Sequence, residues 1–144
     1  MRDITRSSLA AGSGKLAMIA MRAVMAYYDL GVIVDTVYNS DDIPENERDS
    51  ELEELAAGWG FDGGLSAALA MRRVAVQFKR SDVSKQARLP MANGNYLCWG
   101  HFEVLALLRG EKLRMVWFAK LRRNNWTPAE LKRRVQNKIT EEVF

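Results

Sequence analysis

The residues able to do chemistry in this chain are few. Cys98 and His101 are the one thiol and the one imidazole. On a helix they lie one turn apart, close enough to touch. A Cys–His nucleophile pair also wants an orienting group and an oxyanion site, and the residues around "NYLCWGHFE" (95–103) carry no pattern for either. The pair therefore reads as a core thiol and a helix-start imidazole. One thiol and one imidazole do not build a zinc site, and no Ser-His-Asp set is recognisable. "GSGK" (12–15) resembles the end of a phosphate-binding loop, but that loop needs a further upstream glycine, a hydroxyl after the lysine and a strand ahead of it. Leu16 follows Lys15, and no strand pattern precedes it. No catalytic residue, metal site or cofactor is predicted, and the chain is not expected to be an enzyme.

What remains is charge, and it is segregated. Residues 39–62 hold nine acidic side chains against Arg48. Residues 71–88 hold six basic side chains against Asp82, and residues 109–138 hold ten against Glu111 and Glu130. Such a dipolar chain offers its basic regions to a polyanion. Self-neutralisation across the fold is the competing expectation.

The densest local signal is "NNWTPAELKRRV" (124–135). Thr127 and Glu130 are spaced for a capping box, Pro128 suits the first helical position, and Trp126 and Leu131 are placed as a hydrophobic staple. Leu131, Val135 and Ile139 then form the core stripe. That leaves Lys132, Arg133, Arg134 and Lys138 to project outward, joined by Arg122 and Arg123 from the helix before. These six, with Arg72 and Arg73 of an earlier helix, are the candidate DNA-binding residues.

The elements that must position them are helical. Residues 16–38 carry a three-four apolar spacing and a second stripe through Met18, Met21, Met25, Tyr28 and Val32, which predicts a long helix burying two faces. Gly31 inside it predicts close packing or a kink. Arg22, Asp29 and Asp35 argue against a membrane span. The first fourteen residues are expected as a flexible leader with no signal peptide. "NSDDIPENERDS" (39–50) reads as an acidic loop, ending in a Ser50–Glu53 capping box.

Residues 50–80 predict a helix-turn-helix-like pair. Ala56 would allow a close crossing, Gly60 a positive φ, and Leu55, Trp59, Phe61 and Leu69 would fill the wedge. Its second helix is expected to present Ser66, Arg72, Arg73 and Gln77. Residues 81–95 read as a loop with an Asn-Gly turn at 93–94, and 96–140 as a C-terminal three-helix unit. No segment alternates with period two. The prediction is one all-α domain of five to six helices with helix-turn-helix-like pairs, which 144 residues can fill with a real core. The single cysteine makes no internal disulfide and points to a reducing, cytoplasmic setting.

"WGHFEVLALLRGEKLRMVWFAKLRRNNWTPAELKRRV" (99–135) resembles the helical N-terminal domain that precedes the nuclease in YhcG-type PD-(D/E)XK proteins. Trp99, His101, Leu105, Arg114, Trp117, Phe118, Trp126, Thr127, Glu130, Leu131 and Val135 carry the resemblance in order and spacing, and "YYDLGVIV" (27–34) with 54–78 extends it over residues 20–136. Gly100 stands where that family usually has Ser, and Ala129 where it has Arg. The resemblance implies a nucleic-acid-binding unit without the cutting domain. Together these observations predict a sequence-specific DNA-binding protein, a transcriptional regulator from a phage or mobile element, acting as a homodimer. The alternative is a helical protein-interaction module that uses the acidic loop 39–54 or helix 16–38.

Overall fold

The apolar N-terminal run forms α1, Arg2–Tyr38, the longest element of the computed structural model, which describes residues 2–143 with side chains from Gly14 to Glu142. Helix also runs through residues 2–14, where a flexible leader is expected. "SSLAA" (7–11) consists of residues a helix tolerates, and each of Gly12 and Gly14 costs about 1 kcal/mol without ending it. Pro44 and a 3-10 turn, Glu45–Glu47, lead into α2, Arg48–Gly58. That turn starts α2 two residues before Ser50, so Ser50 lies inside the helix and the expected Ser50–Glu53 box is not its cap.

The remaining helices are α3 (Leu65–Gln77), α4 (Arg80–Ala87), α5 (Trp99–Leu105), α6 (Glu111–Asn124) and α7 (Pro128–Val143). The fold is all-α, and the described residues form seven α-helices rather than five or six. The additional one is α4, in the segment read as a loop. Its Ser, Asp and Lys content resembles a loop, but Val83, Gln86 and Ala87 are buried at helical spacing against the body. Phe78 and Lys79 are extended and end α3 before residue 80.

α3 is the central helix, packed against α1, α2 and α5. Gly31 lets α1 reach it: a Cβ there would run into the carbonyl of Met71, with the Ala75 Cβ at 3.2 Å. Close packing, not a kink, is what this glycine permits. Val34 of α1, Leu52 and Ala56 of α2 and Ala68 of α3 form a small sealed cluster, with Leu55, Trp59, Phe61 and Leu69 against it as the wedge. Gly60 takes φ +88°, as the tight α2–α3 turn requires. The larger cluster runs from Val24 and Tyr28 through Met71, Phe78 and Phe102 to Phe118, Leu121, Leu131 and Val135. It binds the C-terminal three-helix unit to the α1–α3 body.

Polar groups close the seams. The Tyr28 hydroxyl donates to the Phe78 carbonyl at 2.8 Å, and burial raises its pKa. Arg114, buried, donates to the carbonyls of Leu108 and Gln77 at 3.0 Å each and lies over the Phe78 ring. The Asn93-Gly94 turn is present, with Gly94 at φ +86°, and Asn93 N–H donates to the Asn125 side chain at 2.7 Å.

α1 from Gly14 to Tyr38 is long and apolar enough to cross a membrane. In the fold Val24, Met25, Tyr28 and Val34 of that stretch are core residues, while Asp29 and Asp35 hold Arg80 and Arg72.

Candidate nucleic-acid interface

α7 starts where its sequence says. Thr127 Oγ1 accepts the backbone N–H of Glu130 at 3.2 Å, which is half of a capping box. The other half is not made. The Glu130 carboxylate turns down the helix to accept from Arg133 at 2.6 Å and Arg134 at 2.8 Å. Those two guanidinium groups hold its pKa down at about 2, from an ordinary 4.5. Trp126 packs on Trp117, ring centroids 6.0 Å apart, and carries Arg134 over its face at 4.4 Å. Leu131 and Val135 are fully buried, as the core stripe requires.

The eight candidate residues divide by environment. Arg72 does not project: its Nε donates to Asp35 at 3.0 Å, and its guanidinium lies 3.7 Å from the centre of the Tyr38 ring. Arg122 is likewise spoken for, donating to the backbone carbonyl of Gln86 at 2.6 Å and to its side-chain oxygen, over the Phe118 ring. Burial lowers its pKa. Both arginines tie helices together, α3 to α1 and α6 to α4. Of the four residues expected to face outward from the second helix of the 50–80 pair, Ser66, Arg73 and Gln77 are exposed on α3, and Arg72 is turned to Asp35.

Arg73, Arg123, Lys132, Arg133 and Arg134 are exposed, and Lys138 is half-buried beside Glu142 at 3.1 Å. Two grooves organise most of them. One, of about 390 Å³ between α6 and α7, gathers Lys120, Arg133, Arg134 and Lys138 with Asn137, Glu141 and the rings of Trp117 and Trp126. The other, of about 340 Å³, has α5 as its floor, Arg73 on its α3 wall and Lys132 on its α7 wall, with Glu103 between them. At roughly 100° per residue, positions 128 and 132 fall on one flank of α7 and 134, 137, 138 and 141 on the other, with 129 between them. Between the flanks runs an exposed ridge of Arg133, Gln136 and Thr140.

Lys120 and the two indoles were missing from the sequence-based set. A Trp with a Lys three residues on, at 117 and 120, is the signal: the ammonium lies 5.0 Å from the Trp117 ring centre. Glu103, which opposes Arg73 within the second groove, gave no signal of its own.

Cys98 and His101 form a different device from the one expected. The thiol is exposed rather than in the core, because Cys98 caps α5. Its Sγ takes the backbone N–H of His101, while Nδ1 of the buried His101 accepts the backbone N–H of Cys98 at 3.0 Å. With Nδ1 accepting, Nε2 carries the proton and donates to the Trp126 carbonyl at 2.8 Å. His101 thus links the start of α5 to the start of α7. Gly100 serves the same junction, since a Cβ there would sit 3.1 Å from Pro128 Cβ. A serine at this position would press on Pro128.

Among the described residues no group of three or more His, Cys, Asp or Glu side chains is placed to hold a metal ion. Compared with known proteins, the chain matches no family model, no curated protein and no solved structure.

Proposed function

We propose that the chain is a sequence-specific, non-catalytic DNA-binding protein of the cytoplasm that regulates transcription, with α7 as the element that enters the major groove. The observation that carries this reading is the form of α7: a ridge ending in a sharp N-terminus, with a basic groove on one flank and a largely apolar groove edged by Arg73 and Lys132 on the other. A helix with its side chains is about 10–12 Å across, close to the width of the major groove. Lys120 from α6 and Arg73 from α3 stand beyond the two flanks, where the phosphates of the two strands would run. Arg133 and Gln136 on the ridge are side-chain types that read guanine and adenine edges. Glu130 and Glu142 neutralise part of this face, but exposed pairs are worth only about 0–1 kcal/mol. A phosphate can displace them.

Fluorescence polarisation with a pool of labelled duplexes, at low and physiological salt, tests the proposal. The expected result is retention of particular sequences, with log K falling against log salt by about 0.9 per phosphate contact. No binding at low salt would overturn it.

A homodimer is part of the proposal. Leu16 and Ile19, near the middle of α1, are 58% and 61% exposed, and Met18 joins them. Covering this apolar surface with a second copy would also give a DNA reader two half-sites. Light scattering at tens of micromolar should give twice the 16.3 kDa of one chain. The second reading, a helical protein-interaction module, draws on the same α1 surface and on the exposed carboxylates of 39–54. It becomes the better one if no duplex is retained.

A further inference from the structure

A cavity of about 590 Å³ opens between α1, α3 and the segment entering α5. Its volume lies within the range of small-molecule sites, roughly 300–1,000 Å³. Phe61, Tyr27 and Trp99 line it in a continuous run, with Tyr27 stacked on Trp99 at 5.5 Å and tilted against Phe61 at 5.9 Å. Small Ala23 and Ala67 leave the space that larger residues would fill. Among the described residues that line it, Glu103 is the one carboxylate and there is no Lys or Arg. Burial raises the pKa of that carboxyl, and Arg73, from the neighbouring groove, only opposes the shift.

We propose that this cavity binds a small aromatic amine, its ring against Tyr27 and Trp99 and its ammonium toward Glu103. An aromatic wall favours a ring and also stabilises an adjacent cation. A partly desolvated carboxylate gains most from a positive partner, and it repels an anionic ligand of the same shape. The site does not depend on DNA binding, although Gly100 and Glu103 also line the groove that holds Lys132.

Three probes that share a ring test this: 2-phenylethylamine, 2-phenylethanol and phenylacetate, titrated into the full chain and followed by two-dimensional NMR. The amine is expected to bind at least tenfold tighter than phenylacetate, with the alcohol between them and shifts at Met71 and Ala67. In Glu103→Gln, of nearly the same shape, the amine should fall to the level of the alcohol. Ala23→Trp, at an exposed helical position on the rim, should abolish binding of all three with melting unchanged. The proposal is overturned if amine and carboxylate bind alike, if no probe binds, or if binding survives Ala23→Trp.

Discussion

The arginines of the body and those of α7 are the same residue type in two kinds of place. Arg72, Arg114 and Arg122 lie across seams between helices, each over an aromatic ring and each donating to a group on another segment. Arg133 and Arg134 share one carboxylate on their own helix and keep 58% and 43% of their side chains exposed. The first kind has exchanged water for fixed oxygen acceptors and rings, so removing one leaves acceptors without donors. The second has exchanged less: Arg134 lies over the Trp126 ring, but both arginines keep exposed ion pairs on their own helix. A cation becomes available to a phosphate when its present partner is local and exposed, and charge counts along the sequence cannot make that distinction.

The α1–α3 crossing is where the body should be least forgiving. Gly31→Val drives a branched side chain into the Met71 backbone. The expected loss is about 3 kcal/mol or more, as for overpacking with no room to relax, read as a lower urea midpoint. A loss below about 1 kcal/mol would show that the helices separate easily there.

Arg114→Ala comes next. It leaves the Leu108 and Gln77 carbonyls without their donor in a buried seam, at an expected cost of about 2–3 kcal/mol. Arg114→Lys should recover little, because one ammonium cannot span both carbonyls as the planar fork does. DNA affinity per folded molecule should not change. If it falls in step with stability, the body and the α7 face are not separable.

On α7 the order of effects reverses. Arg133→Ala with Arg134→Ala is expected to weaken duplex binding at least tenfold, about 1.4 kcal/mol, with helicity and melting almost unchanged. Arg122→Ala should do the opposite, lowering melting because it releases α4 from α6. If the double variant binds like the parent, α7 is a structural helix.

The comparison also explains what could be read in advance. Helix periodicity reports burial along one element, so α1 from residue 16 onward, the α2–α3 turn at Gly60 and the Thr127 start of α7 were legible. α4 was not, because eight residues hold too few apolar positions to outweigh a loop-like composition. Arg72 and Arg122 looked outward by spacing because their partners, Asp35 and Gln86, lie at least 36 residues away in the chain. Cys98 looked buried because thiols usually are, whereas its cap position holds it at the surface. The α7 grooves were half legible. Their α7 walls followed from helical spacing, but Lys120 and Arg73 come from helices whose placement only the packing decides.

The smallest expected effect is the most direct test of how loosely α7 holds its cations. The Glu130 carboxyl titrates at about 2 in the folded chain against an ordinary 4.5, held down first by its hydrogen bonds to Arg133 and Arg134. A depressed folded-state pKa means that the ionised form favours folding above the ordinary carboxylate range. That contribution fades as pH falls through 4.5 toward 2. The carboxylate is exposed, so salt should screen much of it. A carbon-detected NMR titration should place the Glu130 midpoint well below those of the other exposed glutamates at low ionic strength. In the variant lacking both arginines it should return toward 4.5. Saturating duplex DNA should move it upward in the parent as well, because phosphates draw the guanidinium groups off the carboxylate and add negative charge beside it. A midpoint that DNA leaves in place would mean that Arg133 and Arg134 stay with Glu130 in the complex, and that the flanking Lys120, Lys132 and Arg73 carry the phosphate contacts.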